Sequence, residues 1–316
     1  MKKQLLAAAS IASIAFAGLA FAAPANALAC GTPALYINGT NVVAVADWKL
    51  WVHGADGAVL ETVTMTGADQ GYGDIALSAD AQTIYGVQNG SSNDDIIDLV
   101  DPTTGAVKGT LTITGDAAGV GGWVGAAVVG DGKLVIGAAE SNLVYKVDLT
   151  TGASTQFTDL AASDLQNPQW FNTTGDFAQL PDGDVVALYT NTDNAEFFIA
   201  RIAADGTLTT VGQVAESWGA GRVGDDIQFA QADGIISKLA ISAIPTAAGT
   251  GSISLTTVVD TGIPGGLWGA AGTQDTGTQT CTLANTGLNA GALGALALGL
   301  GFAGAAGLVI ARRKNA

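Results

Sequence analysis

Asp101-Pro102-Thr103-Thr104-Gly105 and Asp148-Leu149-Thr150-Thr151-Gly152 each follow a short apolar stretch and precede another. Glycine at the close of such a segment supplies the positive φ that a tight hairpin needs. Asp56-Gly57 and Asp205-Gly206 extend the set along the chain. A second set is Gly130-Asp131-Gly132, Pro181-Asp182-Gly183 and Ala232-Asp233-Gly234. Its last glycines are 51 and again 51 residues apart, and each is followed by a short apolar strand, at 133–137, 184–189 and 235–239.

Working outward from these turns, one unit has strands at 74–78, 83–88, 95–100 and 106–113, and the next at 123–129, 133–137, 143–148 and 154–158. Four antiparallel strands in about 48 residues is the size of a propeller blade. The segment rich in Gly, Thr, Val, Ala and Asp shows no long 3.6-residue period, which predicts an all-β domain. Inner strands beginning near Asp74, Trp123, Asp176, Asp225 and Trp268 make five blades, or six if residues 159–175 hold extra strands. The first unit, with strands at 35–37, 42–46, 49–53 and 59–65, lacks an innermost strand. The C-terminal strand around Trp268 supplies it and removes an open sheet edge.

The Asp-Pro-Thr-Thr-Gly and Asp-Leu-Thr-Thr-Gly hairpins resemble the outer hairpins of bacterial surface β-propellers of the WD40 or quinoprotein-like type. The resemblance spans residues 34–272 and implies a single propeller domain, 28–272.

Both ends carry address signals. Met1-Lys2-Lys3, an apolar stretch at 5–22 and the small-x-small Ala25-Asn26-Ala27 read as a secretory signal peptide, 1–27. At the other end stand Leu283-Ala284-Asn285-Thr286-Gly287, an uncharged run at 288–311 and Arg312-Arg313-Lys314. As a helix the run would be roughly 36 Å long, enough to cross a hydrocarbon layer of about 30 Å, with the cations held on the cytoplasmic side. Pentapeptide, span and basic tail together resemble the C-terminal cell-wall sorting signal of Gram-positive surface proteins, in the LAxTG form attributed to class E sortases. The resemblance implies cleavage between Thr286 and Gly287 and joining of Thr286 to peptidoglycan, with sortase as a partner and 283–316 as the sorting signal. Residues 273–282 read as a short spacer, and an ordinary membrane anchor is the alternative reading of the span. Cys30 raises the question of a lipid anchor, but Ala27 sits where a lipobox wants Leu.

Removing both ends takes Lys2, Lys3, Arg312, Arg313 and Lys314, so 7 of 12 cations remain against 28 acids, a net charge near −21. No basic patch is left for nucleic acid or anionic lipid, whereas cations including Ca²⁺ are attracted. Cys30 and Cys281 flank the domain, so ring closure and an oxidising setting predict a disulfide between them, worth roughly 4 to 5 kcal/mol in the chain-entropy model.

Candidate chemistry is sparse. His53 is the single histidine and sits at a strand end, a poor place for a catalytic base. Gly219-Ala220-Gly221-Arg222-Val223-Gly224 fits GxGxxG formally, but a strand rather than a helix follows it, so it reads as a propeller loop. Asn191-Thr192-Asp193-Asn194 lacks the spacing of an EF-hand loop and reads as a hairpin. Asp74, Asp176 and Asp225 with Trp123 and Trp268 occupy the five inner-strand starts. They are expected to converge on one mouth of the central channel, as a site for Ca²⁺ or a sugar or as structural caps and fillers. Trp48, Trp170 and Trp218 extend that surface. Three functions follow from this reading: a wall-attached module binding a glycan or protein ligand, a surface glycoside hydrolase or lyase using the carboxylates, and a structural envelope protein.

Overall fold

In chain order the strands are β1 (Ala34–Thr40), β2 (Trp48–Gly54), β3 (Val59–Thr64), β4 (Tyr72–Leu77), β5 (Ile84–Gln88), β6 (Ile96–Val100), β7 (Val107–Thr112) and β8 (Thr114–Gly115). There follow β9 (Trp123–Val129), β10 (Lys133–Ala138), β11 (Leu143–Asp148), β12 (Ala153–Asp159), β13 (Asn172–Gln179), β14 (Val185–Thr190), β15 (Phe197–Ile202) and β16 (Leu208–Val214). The last are β17 (Ser217–Val223), β18 (Asp226–Gln231), β19 (Ile235–Ala240), β20 (Thr256–Asp260) and β21 (Leu267–Gly272). These come from a computed structural model that describes residues 33–40, 48–66, 71–88, 95–139, 141–160, 172–190, 196–263 and 267–273. The signal peptide, Cys30, the proposed strand at 42–46, Trp170, Asn191 to Asn194, the spacer beyond Thr273, Cys281 and the sorting signal with its apolar span lie outside the described residues. Among the described residues no helix is long and apolar enough to cross a membrane.

Five sheets result, each a four-stranded antiparallel meander, with β8 added parallel to β12 at the outer edge of one, and β21 takes the innermost place in front of β1-β2-β3. The inner strands are thus β21, β4, β9, β13 and β17. Each packs on the inner strand at either side, and β17 packs on β21, so the sheets form a closed five-bladed propeller. Chain ends meet at the closure: Thr273 N donates to Ala34 O at 3.0 Å, and Ala34 N donates to the Thr273 hydroxyl at 3.0 Å.

Burial explains the strand sequences. Inner and middle strands are covered on both faces, and Tyr72–Leu77 and Val185–Thr190 are buried at every position, so they read as unbroken small and apolar runs. Outer strands face solvent on one side; Val107–Thr112 alternates half-buried with exposed residues. The apolar side chains form five clusters, one in each seam between neighbouring blades.

The Asp-to-Gly turns that announced the fold join the third and fourth strands of their blades. Asp101 Oδ1 accepts from Thr103 N and Thr104 N at 2.8 and 3.0 Å, and Asp148 Oδ1 does the same for Thr150 and Thr151, both at 2.9 Å. Their glycines also lock the blades together. Thr66 N donates to Gly105 O (2.8 Å), Thr114 N to Gly152 O (2.9 Å) and the Thr158 hydroxyl to Gly206 O (2.7 Å), each bond coming from the outer strand of the preceding blade. A side chain on Gly105, Gly152 or Gly206 would overlap a carbonyl of that neighbour. Blade five departs from the pattern. Its corresponding connection is the longer segment 241–255, with a 3-10 turn at Ile241–Ala243, and it reaches blade four through Ile253 N to Gln213 O at 2.7 Å.

The even 51-residue spacing proves misleading at its third member. Gly130 to Gly132 and Pro181 to Gly183 join first to second strands, but Ala232 to Gly234 joins β18 to β19, the second to the third. The first turn of that blade is Gly224-Asp225, with Gly224 at φ +66. The GxGxxG segment is not a loop: residues 219–223 are strand β17, glycine-rich because Cβ atoms at Gly219 and Gly221 would strike Ala270 and Gly272 of the adjoining inner strand.

Gly152→Ala adds both backbone strain at φ +74 and overlap with Thr112, and is expected to cost about 2 to 4 kcal/mol. Gly132→Ala, at the same φ with open space around it, should cost only about 1 kcal/mol. Denaturant unfolding of the two variants checks this, and equal losses would show that the turn glycines do not serve blade packing.

Candidate functional site

Every inner strand carries a bulge near its start, and the residue after the bulge points to the ring axis. Register makes Asp74, Gly125, Asp176, Gly219 and Gly269 equivalent, since each is followed by the first regular pair of its strand, or is itself in it. The next residue in each strand aims its backbone N–H at the axis. Those five donors are all taken up by two carboxyl groups. Asp74 accepts from Ile75 N and Ala126 N, both at 2.7 Å. Asp176 accepts from Phe177 N (2.9 Å), Ala220 N (2.8 Å) and Ala270 N (2.9 Å).

Only two of the five positions can hold a side chain. A Cβ on Gly269 would overlap Asp74 Oδ1, one on Gly125 would come within 2.8 Å of Gly175 O, and one on Gly219 within 2.9 Å of Ala270. Both aspartates are fully buried and hydrogen-bonded to each other. Burial pushes both carboxyl groups well above the usual carboxylate range, and the charge of Asp74 raises Asp176 further. Burial and the neighbouring carboxyl group thus both disfavour double ionisation of the pair. Asn38 completes the plug: its Nδ2 donates to Tyr72 O at 2.8 Å and its Oδ1 accepts from Gly269 N at 2.9 Å.

Of the five residues expected at a channel mouth, the structure therefore brings together Asp74 and Asp176 alone, and at the axis rather than at a mouth. Their oxygens already face backbone donors, which repel a cation, so the pair offers Ca²⁺ no ligand. Among the described residues no group of three or more His, Cys, Asp or Glu is placed to hold a metal. Asp225 is an exposed turn residue after β17, misassigned because the 51-residue spacing shifted the blade by one strand. Trp123 is fully buried in the seam between blades two and three, edge-on to Tyr145 at 6.0 Å.

Trp268 does face solvent, with 42% of its surface exposed. It is the bulged residue of β21, and Trp218 is the bulged residue of β17, so two neighbouring blades turn equivalent indoles out of the sheet at the same end. With Ala232 and Leu267 they line a pocket of about 190 Å³. Trp48 supports the group, 6.3 Å from Trp268 and nearly edge-on, and Phe197 backs Trp218 at 6.0 Å. A sequence signal for this pairing exists in Trp218-Gly219-Ala220 and Trp268-Gly269-Ala270. Trp123 stands one residue earlier, in Trp123-Val124-Gly125-Ala126, and a shift of one residue turns a strand side chain to the opposite face.

His53 is buried, and its Nδ1 lies 3.0 Å from Gly57 O. Burial lowers its pKa, so the ring is neutral with the proton on Nδ1. It serves the seam between blades one and five, where Gln228 Nε2 donates to Ala55 O at 3.0 Å.

No protein-family profile and no curated protein matches the chain. Solved structures similar to it include one titled as a nidogen/laminin complex, at 10% identity over 78% of this chain and 100% of that one, with a TM-score of 0.49. A protein of unknown function from Bacteroides caccae shares 10% identity over 76% of this chain and 98% of that one, with a TM-score of 0.40. A calcium-binding protein, regucalcin, from Agrobacterium tumefaciens shares 16% identity over 64% and 63%, with a TM-score of 0.42. At these values the likeness is one of fold and conveys no function.

Removing Asp176 leaves three buried donors unpaired and removing Asp74 leaves two, each costing about 1 to 3 kcal/mol. Asp74→Ala is expected to lose about 2 to 4 kcal/mol in denaturant unfolding, and Asp176→Ala more. A hub carboxyl with a raised folded pKa stabilises fully below its unfolded value, near 3.9, and loses that contribution as pH rises through the folded value. The stability of the protein should therefore decline above about pH 4 more steeply than that of Asp74→Asn. Parallel pH profiles would refute the raised pKa of the pair.

Proposed function

We propose that the chain is exported, joined to the cell wall by a sortase through Thr286 of Leu283-Ala284-Asn285-Thr286-Gly287, and displays its propeller for ligand binding by the Trp218–Trp268 face. The observation that carries the binding reading is the placement of two equivalent indoles beside a pocket, with Trp268 left in water. Exposed indole at a concave site is what recognition surfaces use. The face also lies at the opposite end of β21 from Thr273, after which thirteen residues lead to Thr286.

A hydrolase or lyase working through Asp74 and Asp176 fits less well. Glycoside hydrolysis needs a sugar and room for it between two carboxyl groups about 5 to 10 Å apart, whereas these two touch and have no exposed surface. An envelope protein without a ligand is the remaining alternative, and it leaves the exposed Trp268 unexplained.

The meeting of Ala34 and Thr273 supports a Cys30–Cys281 disulfide, because four and eight residues of chain separate the cysteines from the joined ends.

Muramidase digests of producing cells should release a propeller whose last peptide ends at Thr286 and carries a wall fragment. Recovery of residues 312–316 from mature protein would refute sortase anchoring. In the same material thiol labelling should require prior reduction, and labelling without reductant would refute the disulfide.

A further inference from the structure

The lining of the pocket narrows its ligand class. Trp218, Trp268, Ala232 and Leu267 supply aromatic faces and aliphatic carbon, and about 190 Å³ is room for one long side chain rather than an oligosaccharide. A sugar needs several convergent hydrogen-bonding side chains, and these four residues offer only indole N–H groups. Two acidic residues stand close in sequence to the lining: Glu216 precedes Trp218 by two residues, Asp233 follows Ala232, and both are exposed.

Positive charge is committed elsewhere. Lys133 pairs with Asp148 (2.5 Å), Lys238 with Asp226 (2.7 Å), and Arg201 with Asp182 and Asp184 (2.5 and 2.8 Å). Lys146 lies 3.7 Å over the Phe157 ring, Lys108 donates to Gln82 O, and Arg222 is buried and donates to Gly224 O. Lys49, beside Trp48, donates to the Thr64 hydroxyl on the outer strand. All seven cations of the domain thus have partners away from the pocket, and 28 acids outnumber them by 21.

Resting on the binding role proposed above, we infer that the Trp218–Trp268 pocket takes a lysine or arginine side chain of a basic polypeptide presented from the medium. The alkyl stem lies along Leu267 and the indole faces, the cationic head rests against the ring quadrupoles, and Glu216 and Asp233 supply the opposite charge. The acidic domain as a whole raises the rate of encounter with such a partner.

The test uses the full chain in detergent micelles at near-physiological ionic strength, titrated with an N-acetylated tri-lysine amide and, separately, with chitohexaose, and followed by tryptophan fluorescence. Tri-lysine is expected to bind, with affinity about tenfold weaker for Trp268→Ala, the effect of losing one desolvated cation–π contact. Trp268→Tyr should stay within about threefold, and Glu216→Gln with Asp233→Asn should weaken binding and flatten its salt dependence. Equal binding of tri-lysine by Trp268→Ala would reveal diffuse attraction to the acidic surface and overturn the inference, as would no binding at all. Chitohexaose binding that is lost in Trp268→Ala, without tri-lysine binding, would overturn the inference while upholding the binding face.

Discussion

Five backbone N–H groups converge on the axis of the ring, and the carboxyl groups that receive them are fully buried. Inner strands approach so closely that most axial positions exclude a Cβ. Left unpaired, five buried donors would cost about 5 to 15 kcal/mol, as much as a domain's whole stability. Two aspartates at equivalent positions on the second and fourth blades supply four oxygens and satisfy all five. The other three positions are glycine because a Cβ would strike the Asp74 carboxyl group at Gly269, Gly175 and Phe177 at Gly125, and Ala270 at Gly219. The tight closure of the inner strands and the raised pKa of the pair both follow from that arrangement.

A second constraint acts at the rim. The Asp-to-Gly turns at Gly105, Gly152 and Gly206 meet the preceding blade through the glycine carbonyl, and their aspartates hold the turn's own backbone. The repeated motif is therefore a signature of blade-to-blade contact as well as of a hairpin. Blade five reaches its neighbour by a longer segment, which is why its spacing differs.

Hub and rim hold the ring together and leave two indoles at one end of the inner strands. Bulges turn Trp218 and Trp268 out of adjacent sheets, and the chain leaves the ring at the far end of β21. Aspartates that looked like a reaction site are instead part of what makes the ring rigid.

Strand positions in the second and third blades were legible to within one or two residues, since hairpin chemistry and apolar runs are local properties. Closure by β21 was legible too, because a first unit short of one strand and a last strand without followers complete each other. Asp74 and Asp176 could be picked out as equivalent, but their inaccessibility could not, because it depends on three glycines from other blades. Asp225 and Trp123 were misplaced by a one-strand and a one-residue shift, and turn spacing alone contains nothing to detect either. What the amino-acid sequence determined by itself was the β-propeller built of short four-stranded units, through periodicity and turn residues that act within a few positions. Which side chains meet at the axis, and which indoles face water, was decided only by tertiary structure, because cross-blade contacts at the axis join residues 44 to 231 positions apart.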